Sequence, residues 1–161
     1  MGNDSQKQVF LDSEANSWFK RNKRSEGAEY DDVADVGRVA GLLENLPLAN
    51  GPSTSVLEVG CGQGLRLARL KRMKGWSVLG LDPSDMAIDT LSSLGIKGFV
   101  GTADNLPISD QSVDLLIYGY CLCLCDRDDL FKIAAEAHRV LKKESWLVIL
   151  DFWSPSLKSN P

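Results

Sequence analysis

Between residues 56 and 152, short apolar runs alternate with amphipathic stretches, and that alternation leaves few folds open to the chain. Val56-Leu57-Glu58-Val59, Trp76 to Leu81, Lys97 to Val100, Ser112 to Tyr118 and Trp146 to Phe152 read as strands. The periodicity predicts helices over Leu65 to Met73 and over Ser84 to Leu94, with Ser84 as the cap. Asp126 reads as the cap of a further helix, striped by Leu130, Ile133, Ala134, Ala137, Val140 and Leu141. Near-continuously apolar strands need cover on both faces, and strands joined through helices run parallel. With right-handed crossovers the expected architecture is α/β: a doubly wound, mainly parallel sheet with helices on both faces.

Ahead of this unit the pattern is looser. Residues 1–29 read as an arm and residues 30–161 as the domain proper. Within the arm, residues 1–9 carry no predicted structure, and Phe10 to Lys20 reads as a short helix bearing Phe10, Leu11, Trp18 and Phe19. Lys23 to Glu29 is a polar linker. From Asp31 a helix carries Val33, Val36, Val39, Ala40 and Leu43, and Pro47 with Asn50-Gly51-Pro52 ends it.

A chain of 161 residues holds one core. Its net charge of −4 argues against a duplex nucleic-acid partner, which is gripped through phosphate neutralisation. The cluster Lys20-Arg21-Asn22-Lys23-Arg24 reads as a solvated loop. No apolar run reaches the roughly 20 residues that span a bilayer, and the polar start Met1 to Lys7 lacks a signal peptide's apolar stretch. A cytoplasmic location without membrane association is expected. Cys121, Cys123 and Cys125 alternate, but no CxxC pair accompanies them and there is one histidine, so they read with Cys61 as small core residues. No metal is expected.

The segment with most chemical content is Glu58-Val59-Gly60-Cys61-Gly62-Gln63-Gly64, which closes one predicted strand and opens a helix. Glycines there let a ligand lie on bare main chain, beside the amides that open the helix. A dinucleotide is one occupant of such a turn. The spacing is G-x-G-x-G, however, and Leu65 stands where G-x-G-x-x-G requires its last glycine. Glu58 would repel a pyrophosphate and suits an ammonium near a sulfonium. Asp82, at the end of the second strand, is placed to accept from ribose hydroxyls. In Gly101-Thr102-Ala103-Asp104-Asn105-Leu106-Pro107, Asp104 is placed to accept from an adenine amino group, with Leu106 packing on the ring.

Together these residues resemble the class I S-adenosylmethionine-dependent methyltransferase family. Glu58 to Gly64 looks like the family's first motif, Asp82 like its ribose acid and Ala103-Asp104 with Leu106-Pro107 like its adenine turn. Asp110 to Asp114 with Leu115-Leu116-Ile117 is similar to its fourth strand. His138-Arg139-Val140-Leu141-Lys142-Lys143 resembles its R-V-L-K-P-G-G segment, with Lys143-Glu144-Ser145 replacing the proline and glycines. The resemblance implies a Rossmann-like sheet, S-adenosylmethionine as cofactor, and methyl transfer to a small molecule such as a sugar or other metabolite. The implied cofactor set is Glu58, Gly60, Cys61, Gly62, Gly64, Asp82, Pro83, Ala103, Asp104, Leu106 and Tyr118.

Methyl transfer asks mainly for positioning, worth on the order of 7–11 kcal/mol. A general base adds about 3–5 kcal/mol. The candidates just beyond the fourth strand are Tyr120 and Cys121, and His138 reads as a surface residue of the long helix. Trp18 and Phe19 read either as an aromatic lid or as packing on the sheet edge. Two alternatives remain at this level: a cofactor-binding module or partner subunit without catalysis, and a nicotinamide-dependent oxidoreductase. The family's usual sheet has two further strands, for which no segment is expected among the residues given after Phe152. The fifth strand is therefore expected at an open edge, with a homo-oligomer as one way to cover it.

Overall fold

The computed structural model describes residues 6–23 and 34–152. Most of the polar linker, the Asp31 start of the following helix and the last residues lie outside this range. Five strands form one parallel sheet: β1 (Ser55–Val59), β2 (Ser77–Asp82), β3 (Lys97–Val100), β4 (Val113–Gly119) and β5 (Leu141–Leu150). Their order is β3-β2-β1-β4-β5, so the chain reverses direction across the sheet between β1 and β4. A cleft opens at such a reversal, beyond the carboxyl ends of the strands.

The helices are α1 (Gln6–Val9), α2 (Ala15–Asn22), α3 (Ala34–Glu44), α4 (Leu65–Lys74), α5 (Asp85–Ser93) and α6 (Leu130–Val140). Alternation along the strands divides the core in two. Val56, Val78, Leu115 and Ile117 meet α3, α4 and α5 through Val39, Leu43, Leu67, Leu70 and Leu91. Leu57, Leu81, Leu116 and Tyr118 meet α6 through Ile133, Ala137 and Val140. The doubly wound sheet expected from the sequence is present. Ser84 caps α5, its Oγ accepting from Ala87 N at 3.1 Å. The α6 stripe is narrower than expected, because Ala134 and Leu130 face outward.

Asp126 is a cap, but of a different helix. Its two oxygens accept from Gln6 N at 3.1 Å and Lys7 N at 3.0 Å, the first amides of α1. A 3₁₀ turn (Arg127–Asp129) intervenes before α6, which has no side-chain cap. Residues 6–9, for which no structure was expected, are thus helical because a distant carboxylate satisfies their free amides. A π-helical turn (Phe10–Glu14) joins α1 to α2.

The segment before β5 also departs from expectation. The strand starts at Leu141 rather than Trp146, and its register against β4 jumps between the Val113↔Leu141 and Leu115↔Trp146 pairs. Glu144 lies in this bulge with φ +57°, where the family pattern has glycine. A side chain in the left-handed region is strained, so Glu144→Gly is expected to stabilise the chain by about 0.5–1 kcal/mol. Urea unfolding checks this, and an unchanged midpoint argues against strain there. β5 lies at the sheet edge with Trp146, Leu147 and Ile149 exposed. Among the described residues no helix is long and apolar enough to cross a membrane.

Candidate active site

An open cleft of about 800 Å³ sits over the carboxyl ends of β1, β2 and β4. Its floor is Gly60 and Gly119, and one wall is Leu81, Asp82 and Pro83. Gly101 to Asp104 form the opposite wall. Tyr120, Cys121, Leu124 and Cys125 close it beyond β4. Lys7, Phe10, Ala15 and Trp18 cross it from the arm.

The glycine turn is built for close approach. Gly60 has φ +73°, and a Cβ there would lie 2.8 Å from Cys121 Cβ and 2.9 Å from Gly119 O. Gly64 serves packing instead, since a Cβ there would sit 2.0 Å from Leu91 Cδ1 on α5. Asp82 organises the turn: Oδ2 accepts from Gly62 N and Oδ1 from Ser84 N, both at 2.9 Å. Each oxygen keeps acceptor capacity for a ligand in the cleft. Burial pushes the Asp82 carboxyl up, against the two backbone hydrogen bonds that lower it.

Asp104 also lines the cleft and is already engaged, accepting from Lys7 Nζ at 2.5 Å. Burial acts to raise its carboxyl, but the hydrogen bonds from Lys7 and Thr102 outweigh that and hold it below the usual carboxylate range. Its wall is braced from behind. Arg139 donates to Leu106 O at 2.8 Å, Ile108 O at 2.7 Å and Asp110 Oδ1 at 2.6 Å. Glu136, paired with Arg139, accepts from Leu106 N at 2.7 Å.

Of the expected cofactor residues, Gly60, Asp82, Pro83, Ala103 and Asp104 line the cleft. Glu58, Cys61, Gly62, Gly64, Leu106 and Tyr118 do not line it. Glu58 points to the α4 side, is 1% exposed, and accepts a hydrogen bond from Arg66 on α4. Tyr118 turns to the other face, where its hydroxyl donates to Ile133 O at 3.2 Å. Leu106 is core behind the Gly101–Asp104 wall, and Cys61 packs against Gly80. For Glu58 and Tyr118 the physical reason is strand alternation, which turns their side chains to the two faces of the sheet.

Tyr120 and Cys121 both line the cleft. Tyr120 has φ +56° and its ring lies 5.5 Å from that of Phe152. Cys121 Sγ donates to Val59 O at 3.5 Å, and burial pushes its thiol far up, so it stays protonated and is not poised to accept a proton. Trp18 lines the cleft while Phe19 is core, so the two aromatics face different surroundings. His138 is exposed on α6. Among the described residues no cluster of three or more His, Cys, Asp or Glu could hold a metal ion. Sequence reasoning missed Lys7, Asp126 and the bracing role of Arg139. Their partners are distant in the chain, and only the R-V-L pattern around Arg139 signalled anything.

The geometry has counterparts in known proteins. Residues 57–149 match the family model described as a methyltransferase domain. The chain is 33% identical over 132 residues to malonyl-[acyl-carrier protein] O-methyltransferase 1 of Coxiella burnetii, covering 80% of this chain and 45% of that one. It is 32% identical over 131 residues to malonyl-[acyl-carrier protein] O-methyltransferase of Hamiltonella defensa, covering 80% and 50%. The chain thus spans half or less of these two relatives' length. Among solved structures, Haemonchus contortus phosphoethanolamine N-methyltransferase 1, in complex with phosphoethanolamine and S-adenosylhomocysteine, shares the fold. Its TM-score is 0.70 at 17% identity, over 94% of this chain and 33% of that one. A matched model over more than half the chain, on a sheet whose switch-point cleft carries the glycine turn and Asp82, places the chain in the class I S-adenosylmethionine-dependent methyltransferase family.

Proposed function

We propose that the chain binds S-adenosylmethionine in the switch-point cleft and transfers its methyl group to a small-molecule acceptor. The observation that carries this reading is Asp82, tethered by two backbone amides at the cleft wall with lone pairs to spare beside bare glycine backbone. Those carboxylate acceptors fit the two hydroxyl donors of a ribose diol lying across Gly60. When bound, the cofactor supplies a methyl carbon already activated by its sulfonium. The chain's own residues position and exclude water. Asp82 holds the sugar, the Gly101–Asp104 wall receives the base, and Phe10 and Trp18 cover the opening as a lid. Tyr120 stands beyond β4, where an acceptor would be oriented. Glu58 supplies negative charge beneath the floor, toward the ammonium end.

The cleft chemistry supports a neutral acceptor such as a hydroxylated metabolite or sugar. Asp82, Asp104, Asp126 and Asp129 line it, and Lys7, its lining cation among the described residues, is bonded to Asp104. A free carboxylate acceptor, as the names of the malonyl relatives imply for those proteins, would face net like charge here. Calorimetry with S-adenosylhomocysteine and with NAD tests the cofactor. Binding of NAD alone overturns the reading. Transfer of labelled methyl to a panel of sugars, other metabolites and a malonyl thioester tests the acceptor. A panel that is silent while S-adenosylhomocysteine binds would favour a module without catalysis.

Two further expectations follow from this reading. Phe10→Ala with Trp18→Ala removes the cover, and dissociation of S-adenosylhomocysteine should speed roughly tenfold, or about 1.4 kcal/mol. Stopped-flow measurement checks it, and an unchanged rate removes the lid role. Pairing of two copies along the open β5 edge is the second proposal. A monomeric mass by light scattering at high concentration counts against it.

A further inference from the structure

Glu58 and Arg66 form a buried ion pair close to the cleft floor. Glu58 comes from the middle strand β1 and Arg66 from the first turn of α4. Both are buried, at 1% and 9% exposure. Arg66 Nη1 donates to Glu58 Oε1, while Glu58 Oε2 and Arg66 Nε have no hydrogen-bond partner in the protein. Removing two charges from water is costly, and a pair left half-satisfied is weak evidence for stability. Its location is more informative. A Cβ at Gly119 would lie 2.8 Å from Glu58 Oε1, 3.2 Å from Arg66 Nη1 and 3.2 Å from Gly60 O. The pair therefore packs directly against Gly119, one of the two glycines of the cleft floor.

We propose that Arg66 is a positioning residue of the cofactor site: its guanidinium holds the Glu58 carboxylate beneath the Gly119 floor, so that negative charge stands below the cationic end of the bound cofactor. This rests on the reading that the cleft binds S-adenosylmethionine and that Glu58 serves it. The electrostatics run the same way. Burial pushes the Glu58 carboxyl up, and Arg66 acts against it through charge and hydrogen bonding. Of the other groups facing Glu58, Asp82 from β2 opposes its charge, while the thiols of Cys61 and Cys121 are themselves pushed up and stay neutral. Arg66 is thus the cation that holds the carboxylate form. Without it nothing opposes the upward push of burial, so Glu58 holds a proton more readily. The floor then loses its negative charge.

The test is S-adenosylhomocysteine affinity by calorimetry from about pH 6.5 to about pH 9, expressed as a ratio to wild type so that the ligand's own titration cancels. Arg66→Met should bind at least tenfold more weakly at the acidic end and recover as Glu58 ionises at the alkaline end. Glu58→Gln, which cannot ionise, should be at least tenfold weaker with a ratio flat in pH. Arg66→Lys should restore most of the affinity. If Arg66→Met does not fold, the double variant Glu58→Gln/Arg66→Met removes the lone buried charge and is read in its place. It should fold and bind at least tenfold more weakly, and wild-type affinity in it overturns the proposal. Unchanged affinity in Glu58→Gln sinks the reading of Glu58 itself. A weakened Glu58→Gln beside a wild-type-like Arg66→Met, or an Arg66→Met deficit that is flat in pH, sinks the role of Arg66 alone.

Discussion

Asp82→Ala should weaken S-adenosylhomocysteine binding by at least tenfold, and by about 100-fold if both ribose hydroxyls are held, while the sheet stays folded. Hydrogen bonds to an ionised acceptor are worth about 1.5–3 kcal/mol each when lost. A second loss adds to the first, because Asp82 also ties Gly62 N and Ser84 N, at 2.9 Å each, and so sets the shape of the glycine turn. Asp82→Asn separates the two contributions. It keeps the size but turns one backbone-facing oxygen into a donor, so it should bind as poorly as alanine. The same carboxylate sets a pH dependence. Its pKa is raised by burial, so the proton returns before that of an ordinary aspartate at about 3.9. Affinity should therefore fall with acidification at a higher pH than an exposed aspartate would give. For the unliganded chain the sign is opposite. A carboxyl raised in the folded state favours folding below its unfolded pKa and loses that contribution as pH rises through the folded value. Unchanged affinity in Asp82→Ala would refute the ribose assignment and the cofactor reading that rests on it.

Arg139→Met should lower stability by about 3 kcal/mol, or roughly 6–12 °C in melting temperature. One guanidinium holds the carbonyls of Leu106 and Ile108, the carboxylate of Asp110 and the Glu136 carboxylate that in turn accepts from Leu106 N. Methionine keeps the aliphatic length and removes this donor from the two carbonyls and Asp110, leaving Glu136 with Leu106 N alone. The brace stands directly behind the wall that carries Asp104, so cofactor affinity should fall with stability. S-adenosylhomocysteine should then protect the variant less than it protects wild type against heat. Lysine should rescue poorly, since a point donor cannot serve two carbonyls and two carboxylates in one plane. Differential scanning calorimetry with and without ligand gives both readings. An unaltered melting temperature would mean that the turn is held by its own packing through Leu106, which is 3% exposed.

The arm shows where local pattern ends. Phe10, Trp18 and Phe19 were visible as apolar residues of a short helix, but their division was not. Trp18 faces the cleft and Phe19 the core because α2 packs on α5, where Asn16 Oδ1 meets Ser84 Oγ at 2.6 Å. Lys7 carried no local signal at all. It reaches Asp104 across 97 positions only once Asp126 has capped α1.

The sequence by itself determined the parallel doubly wound sheet, the glycine turn, Asp82 at the strand end and Ser84 as a cap. These follow from periodicity and from bonds made within a few residues, where chain connectivity already supplies most of the proximity. Tertiary structure alone decided that Glu58 turns from the cleft to Arg66, that Tyr118 is core, that Asp126 caps the arm and that Arg139 braces the wall that carries Asp104. Each of those depends on which groups are left unsatisfied when distant elements close on one another, and a buried charge takes the partner that the packed sheet and helices bring within reach.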